Sequence, residues 1–179
     1  LRMRDDHPDF PAMVLGSHLL GGSSSARLPE RIREKEGMSY STYSWFSASP
    51  LDEVGDFQVS AIFAPQNKQR VEQAMREELQ RALREGFSAE EVATAKRSLL
   101  EARRLARTRD ETLNARLANY LFLGRTFAWD MELERRIAAL QKGGLFVDHE
   151  PRQARQGFLA LLQPAQQRER RLEMLAQFL

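Results

Sequence analysis

Arg33 and Tyr40 stand seven positions apart in Arg33-Glu-Lys-Glu-Gly-Met-Ser-Tyr40, one near the end of a helical stretch and the other at the start of an alternating one, with Gly37 between them. That spacing lets the two side chains face the same space. A guanidinium offers a rigid fork of donors to a carbonyl, and a phenol offers one donor where an oxyanion develops. An equally simple reading leaves them structural, with Arg33 capping a helix C-terminus and Tyr40 laying its ring on a sheet.

Other groups that could do chemistry are sparse. His7, His18 and His149 stand far apart, and none belongs to His-x-x-Glu-His or His-Glu-x-x-His, so the sequence offers no metal site. His18 falls on an apolar helix, where a satisfied core or interface histidine outweighs a ligand, and His149-Glu150 reads as solvated. Ser23, Ser24 and Ser25 lack a Gly-x-Ser-x-Gly context and an evident base, and read as helix caps. Gly21-Gly-Ser-Ser-Ser is followed by no Gly-Lys-Ser/Thr and is not a phosphate loop. With no cysteine, disulfides, thiolate zinc sites and cysteine nucleophiles are excluded.

The elements that must position Arg33 and Tyr40 follow from periodicity. Phe10 to Leu20, with Pro11 in the first turn, reads as a buried helix ending at Gly21-Gly22. A second helix, about Ala26 to Glu36, turns Leu28 and Ile32 inward, has Pro29 in its first turn and stops at Gly37. The period then becomes two: Tyr40, Thr42, Ser44 and Phe46 share one face of a strand, and Tyr43 and Trp45 the other. Phe57, Val59, Ala61 and Phe63 alternate in a second strand, the antiparallel partner of the first across a turn at Pro50 to Asp56. From Asn67 the pattern is helical. Val71, Ala74, Met75, Leu79, Ala82 and Leu83 make one stripe, stopped at Gly86, and Ser88-Ala-Glu-Glu91 is a capping box opening a helix with Val92, Ala95, Leu99, Ala102 and Ala106 inward. Helices from Asp110 to Leu123 and from about Trp129 to Gln141 complete a domain over residues 1–142, in which helices with one apolar face each must pack on something and the two strands offer a sheet to cover. Residues 143–179, rich in Gln and Arg with weak helical patterns, read as a mainly helical appendage.

The 179 residues suffice for one core, and 27 basic against 25 acidic residues leave +2. A composition of 29% charged and 42% hydrophobic residues signals neither disorder nor a polyanion binder. Arg103 to Arg109 interleaves with the inward stripe as a solvated helix face would, which sets a nucleic-acid partner aside. No apolar run is long enough to span a bilayer and Leu1-Arg-Met-Arg-Asp-Asp is no signal peptide, so the chain as it stands is expected to be soluble.

The passage Leu20-Gly-Gly, then Ser25-x-Arg-Leu-x-x-x-Ile-Arg-Glu-Lys-Glu-Gly-Met-Ser-Tyr-Ser41, closely resembles the non-zinc, C-terminal homologous half of the insulinase-like (M16) zinc peptidases, the group of pitrilysin and the mitochondrial processing peptidases. The resemblance runs from about Asp9 to Leu140 and includes Gly86-Phe-Ser-Ala-Glu-Glu-Val92 with the following Ala-Lys-Arg-Ser-Leu-Leu. It implies a clamshell of two α+β halves, each a mostly antiparallel sheet covered by helices. One half carries His-x-x-Glu-His and a further Glu and holds zinc; the other presents an Arg and a Tyr seven apart to the substrate main chain and to the tetrahedral intermediate. Arg33 and Tyr40 match that pair, and Tyr40 takes the oxyanion role.

The resemblance therefore implies a substrate-gripping half with no cofactor of its own and zinc in the complete enzyme. Its implied partners are a zinc-bearing homologous half, on the same polypeptide or another subunit, and a peptide substrate, with neither nucleic acid nor membrane. An apolar face left by the missing half could also pair two copies of the fragment. Bacterial relatives of this kind are often periplasmic. The competing expectation is a family relative without catalysis that serves as a scaffold or assembly subunit. After Leu140 the sequence departs from the family's usual closing helix and strand, and Gly21 to Ser25 is short beside the glycine-rich loop of the non-catalytic processing subunit.

Overall fold

A computed structural model describes residues 1–141; the expected appendage lies outside the described residues. The element order is α1 (Phe10–Gly21), a π-helix (Pro29–Lys35), β1 (Ser41–Ala48), β2 (Gly55–Ile62), a 3-10 turn (Pro65–Asn67), α2 (Lys68–Glu85), α3 (Ala89–Ala106), α4 (Asp110–Leu123) and α5 (Phe127–Ala139). The fold is α+β and helix-rich. Among the described residues its sheet is the single antiparallel pair β1–β2, with an isolated bridge between Arg4 and Ser49 beside it.

β1 and β2 pair from Ser41 opposite Ile62 to Ala48 opposite Gly55. Because side chains alternate and register partners share a face, Thr42, Ser44 and Phe46 lie on the inner face with Ala61, Val59 and Phe57. The hairpin loop is held by Ser49, whose Oγ accepts from the backbone N–H groups of Leu51 and Asp52 at 3.2 and 3.1 Å.

α1 is apolar nearly all round because it is the centre of the core: Met13, Leu15 and Leu20 are fully buried, between β1 on one side and α3 and α5 on the other. Its contact with the strand is close. Ser44 Oγ donates to the Ser17 carbonyl at 2.7 Å, and Gly21 lies so near Ser44 that a Cβ there would collide with the strand backbone.

The helix punctuation follows the expected chemistry. α2 stops at Gly86, which takes a positive φ of 67°, and α3 opens on the reciprocal capping box of Ser88 and Glu91. α4 closes on Gly124 in the left-handed region. Three details differ from expectation. Ser23, Ser24 and Ser25 cap nothing: the Ser23 carbonyl accepts from Ala26 N–H, and Ser23 Oγ lies 3.3 Å from Ser25 Oγ. The chain bends through this loop before the helical turn begins, so the hydroxyls stand short of the free N–H groups. The inward stripe of α3 holds only through Leu99, since Ala102 is exposed.

The third difference concerns Arg103 to Arg109, which is not uniformly a solvated face. Arg103 donates to Asp130 at 2.6 Å and to Glu134 at 3.0 Å, Arg107 pairs with Glu134, and Arg116 of α4 reaches Asp130 at 3.1 Å. Asp130 is buried at the centre of this network; Tyr120's own burial, and then the Asp130 carboxylate beside it, push the Tyr120 phenol upward. The network ties α3, α4 and α5 together where apolar contact is thin: Leu117, Leu121 and Phe122 of α4 point to solvent.

Candidate active-site half

The segment from Leu28 to Tyr40 is fixed from below and free above. Leu28 and Ile32 are fully buried, and Arg31 anchors the π-helix to α2 through Glu77 and through Glu78 at 3.1 Å, while also reaching Glu36 at 2.9 Å. The wide turn is recorded in its hydrogen bonds, with Glu36 N–H donating to the Arg31 carbonyl. π-Turns are rare and concentrate at functional sites. Arg33 follows the buried Ile32 and points outward, with its Nε 3.3 Å from Glu34 Oε1 in an exposed pair.

Gly37 reverses the chain with φ of 59°, a conformation that costs a residue with a Cβ roughly 1 kcal/mol. Met38 then dives into the core, its N–H donating to the Ile32 carbonyl at 2.9 Å and its carbonyl accepting from Asn67 Nδ2 at 3.0 Å. Ser39 pins the entry to the strand: the carbonyls of Ser41 and Ile62, at 2.7 and 2.8 Å, share its one hydroxyl proton, and its Oγ accepts from Thr42 Oγ1 at 3.2 Å.

Tyr40 differs from the alternation read in the sequence, which put it on one face with Thr42, Ser44 and Phe46, the face that proves to be the inner one. Its N–H donates to the Ile62 carbonyl at 2.8 Å, although Ile62 has Ser41 as its register partner. Two residues thus oppose one, a bulge-like step that re-aims the side chain, and Tyr40 is 83% exposed. Its ring borders a shallow groove with Gly37, Ile62, Phe63 and Asn67. Arg33 and Tyr40 therefore stand at the two ends of one turn, both reaching solvent. They do not touch each other, and Arg33 does not line the groove.

The residues that sequence reasoning missed are the ones that hold this turn: Arg31, Ser39 and Asn67. Only Arg31 carried a signal, since a cation beside the buried Ile32 must find carboxylates. Elsewhere, His18 Nε2 meets Ser98 Oγ at 2.7 Å between α1 and α3, and burial keeps its imidazole below the usual histidine range. Beside it Arg27 stacks on Phe87 and donates to Glu91 at 2.6 and 3.0 Å, which draws the Glu91 carboxyl down to about 2. Among the described residues no three His, Cys, Asp or Glu side chains are grouped to hold a metal, and no helix is long and apolar enough to cross a membrane.

Residues 2–99, which contain the whole turn, match the family model described as the peptidase M16 inactive domain. The chain belongs to the M16 peptidase family, as its inactive domain. The M16 chain is 26% identical over 139 residues to the "Non-peptidase homolog YmxG" of Helicobacter pylori, covering 76% of this chain and 31% of that protein. It is 34% identical over 84 residues to the "Uncharacterized zinc protease SCO5738" of Streptomyces coelicolor, covering 47% of this chain and 18% of that one. A crystal structure of the peptidase M16 inactive domain from Pseudomonas fluorescens shares its fold, with a TM-score of 0.68 and 23% identity over 81% of this chain and 34% of that one. The chain thus spans less than a third of the length of these curated relatives, and such domains occur within larger M16 proteins. Among the described residues the donor set does not fit the zinc that the zinc-protease names imply, and no metal step is derived from them.

Proposed function

We propose that this domain is the substrate-gripping half of a zinc-peptidase-type M16 protein, acting opposite a zinc-bearing half on the same polypeptide or another subunit. The observation that carries the reading is the turn itself: a pinned scaffold holds Arg33 and Tyr40 out to solvent, with the bulge-like step freeing a phenol that strict alternation would have buried. Arg33, released from its exposed Glu34 partner, supplies two parallel donors to the main chain of a bound peptide. Tyr40 Oη donates to the carbonyl oxygen of the scissile bond, a hydrogen bond that strengthens as that oxygen gains charge.

The domain alone is inert in this reading, because it supplies donors and no means of activating water. In the complete protein Arg33→Ala and Tyr40→Phe lower peptide turnover about a hundredfold, the scale for loss of one oxyanion donor, with the melting transition unchanged. Parental turnover in both variants, measured with a quenched fluorescent peptide, would falsify the assignment.

A second reading, a scaffold without catalysis, draws on the printed name of the Helicobacter relative, a non-peptidase homolog, and on the existing Arg33–Glu34 pair. It predicts a complete protein that hydrolyses no peptide with zinc supplied and lacks a zinc-ligand set in its other half.

A further inference from the structure

β1 and β2 have an outer face as well as the inner one buried by α1. Its positions are Ser41, Tyr43 and Trp45 opposite Ile62, Ser60 and Gln58. These six carry no charge; the face continues to Ser47 opposite Asp56 at the hairpin end, where the Asp56 carboxylate accepts from the Gln58 amide. Tyr43 and Trp45 are 41% and 40% exposed, and Ile62 is exposed between them and Tyr40. A strand face that only met water would be expected to carry Lys, Glu or Thr; this one alternates serine and amide with aromatics, the composition of a recognition surface.

The two rings are stacked, with centroids 5.5 Å apart and planes 17° from parallel. Each ring therefore restricts the other before any ligand arrives, and little rotamer freedom remains to be lost on binding. The flat aromatic surface is continuous with the turn described above, because Ile62, whose carbonyl holds Tyr40 N–H, begins the same outer face.

We infer that Tyr43 and Trp45 form a subsite for a bulky apolar side chain of an extended peptide, so that this domain selects its substrate as well as holding it. The inference rests on the proposed peptide-gripping role and adds the side-chain class. At about 3.3 Å per extended residue, the three positions from Tyr40 to Tyr43 span about 10 Å. A side chain seated on the rings therefore belongs to a residue roughly three positions from the bond beside Tyr40.

The test uses the complete protein and two labelled, unstructured peptides that differ only by Phe or Ser at one position, the position being moved along the peptide in turn. Binding is followed by fluorescence anisotropy and turnover by peptide cleavage. With Phe about three residues from the scissile bond, the parent should bind about tenfold more tightly than with Ser, and Tyr43→Ser/Trp45→Ser should abolish that preference. Equal affinity of the parent for both peptides at every position, or a preference that survives in the double variant, overturns the subsite. If a parental dimer dissociates in the double variant, the face serves self-association and the inference is wrong.

The two proposals fail separately. Loss of turnover in Tyr40→Phe together with no Phe preference leaves the gripping role standing and removes the subsite. A Phe preference that depends on Tyr43 and Trp45, with turnover unaffected by Arg33→Ala and Tyr40→Phe, supports the subsite and removes the catalytic role.

Discussion

Replacing Asp130 with Ala should be among the most damaging single changes outside the apolar core. The Asp130 side chain is only 3% exposed and carries two cations, Arg103 at 2.6 Å and Arg116 at 3.1 Å. Removing one member of such a cluster costs about 3–5 kcal/mol, because the remaining charges stay desolvated without a partner. Here the lower end applies. Arg103 keeps Glu134 at 3.0 Å, and Arg103 and Arg116 retain 18% and 22% exposure to water. A loss of about 3 kcal/mol, with a urea dependence of about 2 kcal/mol/M, moves the denaturation midpoint down by about 1.5 M. Far-ultraviolet circular dichroism in urea reads that shift directly. Arg116→Gln in the Asp130→Ala background should recover part of the loss, since it removes a stranded cation, and the double-mutant cycle should show coupling of about 1 kcal/mol or more. A midpoint shift below 0.3 M, or strict additivity of the two changes (on the order of 0.3 kcal/mol), would show that α3, α4 and α5 do not depend on this network.

Gly21→Ala should destabilise by about 2 kcal/mol or more in the same denaturation experiment, because its Cβ meets strand backbone at Ser44, which cannot yield as a side chain can. Below pH 4.5 stability should fall: the Glu91 carboxyl is held at about 2 when folded, so its contribution is complete above 4.5 and is lost as pH drops toward 2. Discounted for the exposure of Glu91, the loss is about 1–2 kcal/mol, and a Glu91→Gln variant whose stability kept the parental slope in that window would contradict it. The His18 imidazole is held below 6.5 by burial, so its contribution is complete above that value and declines as pH falls further; His18→Asn should flatten that part of the titration. Gly37→Ala should cost about 1 kcal/mol through its positive φ alone, and a neutral result in thermal melts would mean the turn relaxes.

Much of this arrangement was readable before any coordinates. The bounds of α4, Asp110 to Leu123, follow from a first-turn acid pair and a terminal glycine, and the capping box of Ser88 and Glu91 announces α3 because both of its hydrogen bonds are local. The hairpin follows from period-two patterning in both strands, while its register comes only from the pairing of Ser41 with Ile62 through Ala48 with Gly55. What failed to show has a common cause. The widened π-turn keeps Leu28 and Ile32 on one face as an α-helix would, so the apolar pattern does not distinguish the two. The step at Tyr40 depends on a serine hydroxyl and a carbonyl from β2, which no periodicity encodes. Arg103 and Arg107 look solvated because their carboxylate partners lie about thirty residues on, in α5.

The same contrast bears on the role proposed for Arg33 and Tyr40 in a site that another half would complete. Donors aimed at a developing charge work when they are held in place beforehand, and their own scaffold must bear the cost of holding them. Arg31 spends its guanidinium on Glu36, Glu77 and Glu78, Ser39 spends its hydroxyl on two carbonyls, and Met38 is buried beneath. Arg31 before the proposed pair, and Met38 and Ser39 within the turn, are thus committed inward, while among the described residues the Arg33 side chain meets only the exposed Glu34. A turn that existed only to connect a helix to a strand would gain more stability by packing the Tyr40 ring on the sheet, where about 25 cal/mol per Å² of buried apolar surface is on offer. Leaving that ring in water is therefore the observation that most favours a partner surface opposite it. If Tyr40→Ser changed neither the stability of this chain nor peptide binding and turnover by the complete protein, that argument would fail at its first step.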